Sequence, residues 1–314
     1  MQPGASGLIN AVVKSGNFSK LAKLIKKVRD MKVTVQTGAL QDALALAGSI
    51  VQNRSPKPVL KCVKLVAADN VLTILATDLE VGCRYQITAV QIDEPGEALV
   101  PADRLIGIAR EASGDSLTLE TDKQTVLVTG TGSKFKIFGY DPGEFPAVAD
   151  FAETADFELP ISALSNMIGK TIFATAKAHS HYAISGVLWE AQDSRLMLVA
   201  TDGYRLAQAN GTLSKKSPEA VRAIVPGKLT SLIHRITGDG SESVQVKIDA
   251  NQILIRTPRA VLVGSLVQGN FPKYEDVIPK SCPNKATIAT SELEHRLRQA
   301  SLMMTDESRG VRFN

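Results

Sequence analysis

The stretch "LMLVATDGYRLAQAN", Leu196–Asn210, decides how this chain folds. It reads as an apolar strand, a turn carrying Asp, Gly, Tyr and Arg, and a second short strand. Its first half occurs twice: Leu72–Asp78 reads "LTILATD" and Leu196–Asp202 reads "LMLVATD", an offset of 124 residues. Other landmarks repeat in the same order. Leu40 in "TGALQDALALAGSI" matches Leu164 in "ISALSNMIGKTI" at 124, Val100-Pro101 matches Val225-Pro226 at 125, and "GEFP" at 143–146 matches "GNFP" at 269–272 at 126. Nearly constant spacing over four ordered landmarks identifies a duplicated unit of about 125 residues. A third copy begins: "ATIATSELEHRLRQASLMM" matches the openings of the other two, with Leu293 at the position of Leu164 and Leu40. It stops after "RGVRFN", so the third unit is either reduced or incomplete in this sequence.

Each full copy contains two similar halves, each running strand, helix, then about three strands. In the first, "KVTV" alternates as a strand, and the following helix carries Leu40, Ala43, Leu44, Ala47 and Ile50 on one face, with Thr37 as its cap. "VLKCVKLVAA", "VLTILATD" and "CRYQITAVQI" then read as strands joined by turns. In the second half, a helix with Leu105, Ile106, Ala109 and Ala112 on one face precedes "SLTLET", "TVLVTG" and "KFKIFGY". Helices separated by hairpin-linked strands imply an α+β fold with helices on one face of antiparallel sheets. The expected division is an N-terminal extension at 1–30, repeated domains at 31–153 and 154–281, and the start of a third at 282–314.

Composition excludes some classes. The 44% apolar and 22% charged residues are ordinary for a soluble globular chain, and no apolar run approaches a membrane span. With no secretory leader at the N-terminus, the default compartment is the cytoplasm. Cys62, Cys83 and Cys282 are odd in number and far apart, so buried reduced thiols are expected rather than a disulfide framework. The net charge of +4 is concentrated at the head. Six basic residues against Asp30 give residues 1–30 a charge of +5 and leave the remainder at −1. "FSKLAKLIKKVRD" can form a basic amphipathic helix for a nucleic acid, a partner or a membrane surface; the simpler reading is a poorly ordered leader.

Catalytic motifs do not hold up. "IGKT" at 168–171 lacks the glycine five residues before its lysine, where Ser165 stands, and lies inside a predicted helix, so it is no phosphate loop. "TGTGSK" at 129–134 joins two strands and reads as a hairpin turn. His179 and His181 lack a supporting acidic or cysteine cluster, which argues against a metal site. Asp202 and Arg205 could form an acid/base pair. Because Asp78 takes the same place in copy one, the aspartate reads more simply as a turn-former. Gly203-Tyr204-Arg205-Leu206, which differs between the copies, is the better candidate for copy-specific function. The predicted helices also carry Arg104, Arg110, Lys170, Lys228, Arg235, Arg296 and Arg298. These are either solvated faces or a positive lining that meets phosphates without reading sequence, and composition alone does not choose.

These motifs together resemble a family. "LVATDGYRLA" is similar to the signature of the bacterial β sliding clamps, the processivity subunits of replicative DNA polymerase III, and "ILATDLEVG", "ALVPADRL", "GEFPAV", "QGNFPKYEDVIPK" and "ESRGVRF" fit in order from Met31 onward. The resemblance implies a DNA-clamp fold with sheets outside and helices lining the inner face of a head-to-tail dimeric ring. It implies a non-enzymatic protein, without cofactor or metal, that encircles duplex DNA and docks short peptides of polymerase and clamp loader. Expected partners are double-stranded DNA, the polymerase III alpha subunit, the clamp-loader delta subunit, other polymerases and repair proteins with clamp-binding motifs, and a second copy of the chain. Carried over by position, the peptide pocket comprises Ile184, Thr201, Gly203, Tyr204, Arg205, Leu206, Pro272 and Val277; many relatives have His where this chain has Tyr204. Arg54 and Tyr182 lie in segments that touch DNA in relatives, with Lys177 and Arg235 added from charge and helix placement. The ring interface maps to Phe135 and Ile137 on one side and Leu302 and Met303 on the other. Pocket and interface elements that the family takes from a complete third domain lack counterparts here. The 314-residue chain is therefore expected to dimerise and load poorly unless they are supplied, leaving a clamp relative that binds peptides without closing a ring as the alternative.

Overall fold

A computed structural model describes residues 31–52, 55–152, 154–176, 182–217, 219–235, 242–304 and 311. Two compact units are present, Met1–Pro272 and Lys273–Asn314. The basic head predicted at 1–30 lies outside the described residues.

The duplication is visible in the element order of the first unit. Copy one opens with β1 (Lys32–Gln36), α1 (Thr37–Ile50), β2 (Cys62–Ala68), β3 (Val71–Thr77), β4 (Val81–Ile87) and β5 (Val90–Glu94). Its second half is β6 (Gly96–Pro101), α2 (Ala102–Glu111), β7 (Ser116–Asp122), β8 (Thr125–Gly130) and β9 (Ser133–Phe138). Copy two follows with β10 (Phe157–Pro160), α3 (Ile161–Gly169), β11 (Gly186–Gln192), β12 (Arg195–Thr201) and β13 (Leu206–Thr212). It closes with β14 (Val221–Pro226), α4 (Gly227–Arg235), β15 (Ser243–Ile248), β16 (Gln252–Arg256) and β17 (Ala260–Ser265).

Local chemistry explains these elements. In α1 the expected stripe of Leu40, Ala43, Leu44, Ala47 and Ile50 is buried, each large side chain gaining about 1.5–3 kcal/mol from leaving water. The β2–β3 turn places Asp69 at φ 50 and Asn70 at φ 59, the left-handed pair that a two-residue hairpin needs and that these residue types tolerate. "TGTGSK" is a hairpin turn as expected, with Gly130 opposite Ser133.

Three expectations need correction. Thr37 does not cap α1: it is the first helical residue, its hydroxyl donates to the Gly114 carbonyl at 2.6 Å, and Gln36 holds the cap position without a side-chain bond. "CRYQITAVQI" is two strands, because β4 pairs with β3 and β17 while β5 pairs with β1 in another sheet. Copy two reduces the β5 counterpart to a bridge between Glu158 and Lys215. Cys62 and Cys83 are buried but Cys282 is exposed, lying in a polar, proline-flanked stretch. Burial pushes the Cys62 thiol up to about 11 and the Cys83 thiol up to about 12.

Among the described residues the strands form three sheets, ordered β5-β1-β7-β8-β9, β10-β15-β16-β17-β4-β3-β2-β6 and β13-β12-β11-β14. The eight-stranded sheet crosses from one copy to the other where β17 pairs antiparallel with β4, placing Leu262 opposite Cys83. Both side chains are fully buried in one continuous core. Helices α1 and α4 lie against β4 and β17 respectively, so the helices of both copies cover the face of this sheet that Cys83 and Leu262 share. Helix pairs α1–α2 and α3–α4 pack together within each copy.

The second unit contains a short 3-10 turn, Tyr274–Val277, and α5 (Thr290–Ser301), with no fully buried residue in that helix.

Candidate partner-binding site

The turn between β12 and β13 is built by its own side chains. The Thr201 hydroxyl accepts from Gly203 N at 3.1 Å and donates to the Arg205 carbonyl at 2.8 Å. Asp202 Oδ1 accepts from Tyr204 N and Arg205 N, each at 3.1 Å, while Oδ2 accepts from Arg205 Nε at 3.0 Å. Those bonds, the Tyr204 N–H first, hold the Asp202 carboxyl below the ordinary carboxylate range. Gly203 has φ +89 and open space where a Cβ would project, a backbone conformation that glycine reaches without steric cost.

This frame presents an apolar and cationic surface. Tyr204 is fully exposed, and Leu206 is half-buried at the start of β13. The Arg205 guanidinium lies 5.6 Å from the ring centre of Phe173, which is itself 56% exposed. Phe173 belongs to the 3-10 turn Ile172–Ala174, which lies against β12. Ile184 sits in the 3-10 turn Tyr182–Ser185 against β11, and its carbonyl accepts from Ala176 N at 2.9 Å. Thus Thr201, Gly203, Tyr204, Arg205 and Leu206 share one turn. Sequence reasoning missed Phe173; the available signal was a lone aromatic just beyond a helix, outside its apolar stripe. Pro272, which ends the first unit, and Val277 of the second unit are both exposed.

The residues expected to face DNA divide. Arg54 and Lys177 lie outside the described residues, as do His179 and His181, and Tyr182 opens the 3-10 turn before β11. Arg235 is exposed at the C-terminal end of α4, and Arg104, Arg110 and Lys170 are exposed near their helices. Lys228 is not available as part of a positive lining: its ammonium is ion-paired with the buried Asp78 of copy one. Arg296 and Arg298, on α5, bond Gln299 and Glu294 of their own helix. On β9, Phe135 is 45% exposed, but Ile137 is 5% exposed and packs into the core of its own copy. The apolar side chain this strand most exposes is Phe138, at 73%. Leu302 and Met303 are exposed after α5. Among the described residues no acidic, histidine and cysteine grouping could hold a metal ion, and no helix is long and apolar enough to cross a membrane.

Comparison with known proteins agrees with this architecture. Residues 31–149 match the family model for the DNA polymerase III beta subunit N-terminal domain, and residues 158–273 match that for its central domain. The chain is 30% identical over 284 residues to the beta sliding clamp of Pseudomonas putida, covering 90% of this chain and 77% of the relative. It superposes on the crystal structure of the DNA polymerase III subunit beta from Pseudomonas aeruginosa with a TM-score of 0.81 at 28% identity, over 89% of this chain and 76% of that one. The Bacillus subtilis DNA polymerase sliding clamp shares the fold, with a TM-score of 0.83 at 24% identity over 88% and 75% of the two chains. The repeated strand-helix-strand halves, the sheet shared between copies and these matches establish that the chain belongs to the bacterial beta sliding clamp family of DNA polymerase III.

Proposed function

We propose that this chain works as a sliding clamp, holding the replicative polymerase on duplex DNA by topology and docking partners through short peptides. The observation that carries this reading is the pairing of β4 with β17, which puts the helices of both copies on one face of a common sheet. Helices gathered on one face of a shared sheet can line a duplex, and topological retention needs only weak, sequence-independent phosphate contacts. That suits a body whose net charge is close to zero. Arg54, Lys177, Tyr182 and Arg235 are the proposed DNA-facing residues.

The proposed peptide pocket is that of the first unit, Ile184, Thr201, Gly203, Tyr204, Arg205, Leu206 and Pro272, with Phe173 added from its contact with Arg205. The turn is preorganised by its own hydrogen bonds, so a peptide meets an ordered surface and pays less ordering entropy. A leucine or phenylalanine anchor is the matching ligand, and aromatic and arginine side chains are the residue types that dominate such interfaces. By this reading the polymerase alpha subunit, the clamp-loader delta subunit and other motif-bearing polymerases and repair proteins share the pocket. Ring closure would pair the β9 edge, with Phe135 and Phe138 outermost, against the Leu302 and Met303 region of a second copy, head to tail. The chain has no catalytic role in this reading, needs no cofactor and acts in the cytoplasm.

Retention on nicked circular DNA, before and after linearisation, tests the proposal. A clamp is released from linear ends, whereas a groove binder stays on both forms equally. A chain retained on neither form, yet still binding peptide, would support a clamp relative that docks partners without closing a ring.

A further inference from the structure

Away from the helices and the partner turn, a cavity of about 410 Å³ opens where the two copies share their sheet. Its walls come from β4, β15, β16 and β17 and from the segment linking the copies, so neither copy could form it alone. Two arginines line it. Arg256 donates through Nε, at 2.7 Å, and also through Nη2 to Gln245 Oε1, and it stacks on the buried Phe151 ring, with 4.5 Å between guanidinium and ring centre. Arg84 is only loosely satisfied: Nη1 donates to the Val148 carbonyl at 3.3 Å, Nη2 faces Asp150 Oδ2 at 3.3 Å, and the buried Nε has no partner among the described residues. Among the described lining residues two guanidinium groups stand against one carboxylate, Asp150, which is paired with Arg84.

We infer that this inter-copy cavity binds an organic carboxylate, with the guanidinium groups of Arg84 and Arg256 receiving the anion and the apolar wall receiving its body. Arginine forks match the planar geometry of a carboxylate better than a point charge does. The stack on Phe151 fixes the Arg256 plane in advance, which lowers the entropy cost of engaging an anion. Pro258, Ala260 and Val261 add apolar surface beside the arginines, which inorganic phosphate could not use. A cavity of this size falls within the range of small-ligand sites. The site does not depend on DNA, on ring closure or on the peptide pocket.

Titration calorimetry on the full chain tests this with four probes: N-acetylphenylalanine, its neutral amide, a tetrapeptide ending in a free phenylalanine carboxylate, and inorganic phosphate. The two carboxylates are expected to bind at least about tenfold more tightly than the amide or phosphate. The tighter of the two assigns the natural ligand to a small acid or to a chain end, and either result sustains the inference. Arg256→Gln, a change at an exposed side chain, is expected to weaken carboxylate binding about tenfold or more, and Asp150→Asn to tighten it by removing the competing anion. Equal binding of acid and amide, equal binding of phosphate, absence of carboxylate binding, or unchanged affinity in a folded Arg256→Gln protein would each overturn it.

Discussion

The turns Thr77–Val81 and Thr201–Arg205 have the same internal hydrogen bonds and opposite surroundings. In the first, the Thr77 hydroxyl bonds Leu79 N and the Val81 carbonyl, and Asp78 Oδ1 accepts from Glu80 N and Val81 N. The second repeats that pattern with Thr201 and Asp202. What differs is the remaining carboxylate oxygen. Asp78 Oδ2 is buried and paired with Lys228 of the other copy, while Asp202 Oδ2 turns back to its own Arg205 and is partly exposed. Thus one turn locks the copies together and the other remains an open surface. Duplication conserved the fold of the turn and left its outer face free to diverge.

The largest effect should come from Asp78. Its replacement by Ala removes two turn bonds and leaves Lys228 without its anion; with Lys228 partly solvated, the expected loss is about 2–3 kcal/mol. Denaturation followed by the single, buried Trp189 measures it, and a loss no larger than that of Asp202→Ala would erase the distinction between the turns. The left-handed position gives a second comparison. Leu79 has φ +81 and Gly203 has φ +89, and a leucine held there costs about 1–3 kcal/mol. Gly203→Leu should therefore destabilise by about 1–2 kcal/mol and Leu79→Gly should stabilise by about 1 kcal/mol, since Leu79 is more than half exposed. Equal and opposite changes are not required; a stabilising Gly203→Leu would contradict the account.

Acid tests the Asp202 turn by itself. The Asp202 carboxyl is held low in the folded state, so its contribution is fully present above the ordinary carboxylate pKa of about 4 and is lost as pH falls through its lower folded value. The stability difference between wild type and Asp202→Ala should be present at pH 7 and disappear in strong acid. Smallest in energy, but simple to read, is thiol access: a thiol reagent should titrate Cys282 rapidly and reach Cys62 and Cys83 only on unfolding. Rapid reaction of all three in the folded protein would mean that β2 and β4 are not buried as described.

Much of this was readable in the sequence because the signals were local or repeated. Alternation marked the strands, helical spacing marked the α1 stripe, and the recurring Ala-Thr-Asp exposed the duplication. The pairing of β4 with β17 was not readable: it joins Cys83 to Leu262 across 179 residues, and nothing local in either strand names its partner. The ion pair of Lys228 with Asp78 was hidden for the same reason, so a lysine that read equally as a solvated charge or as part of a positive lining serves the joint between copies. Ile137 entered the expected ring interface by its position in the family, and nothing local in β9 says that its side chain reaches the core. At the candidate site the turn was readable from its residues, whereas Phe173 entered only through its contact with Arg205.

The central claim is that one turn is structural and its duplicate binds partners. Titrating the isotope-labelled chain with a short peptide carrying a Leu-Phe anchor, followed by amide NMR shifts, tests it directly. The account predicts shifts at Thr201–Leu206 and near Phe173, none at Thr77–Val81, and loss of the response in Phe173→Ala or Arg205→Ala. Shifts at the copy-one turn, or an unaltered response in both variants, would contradict it.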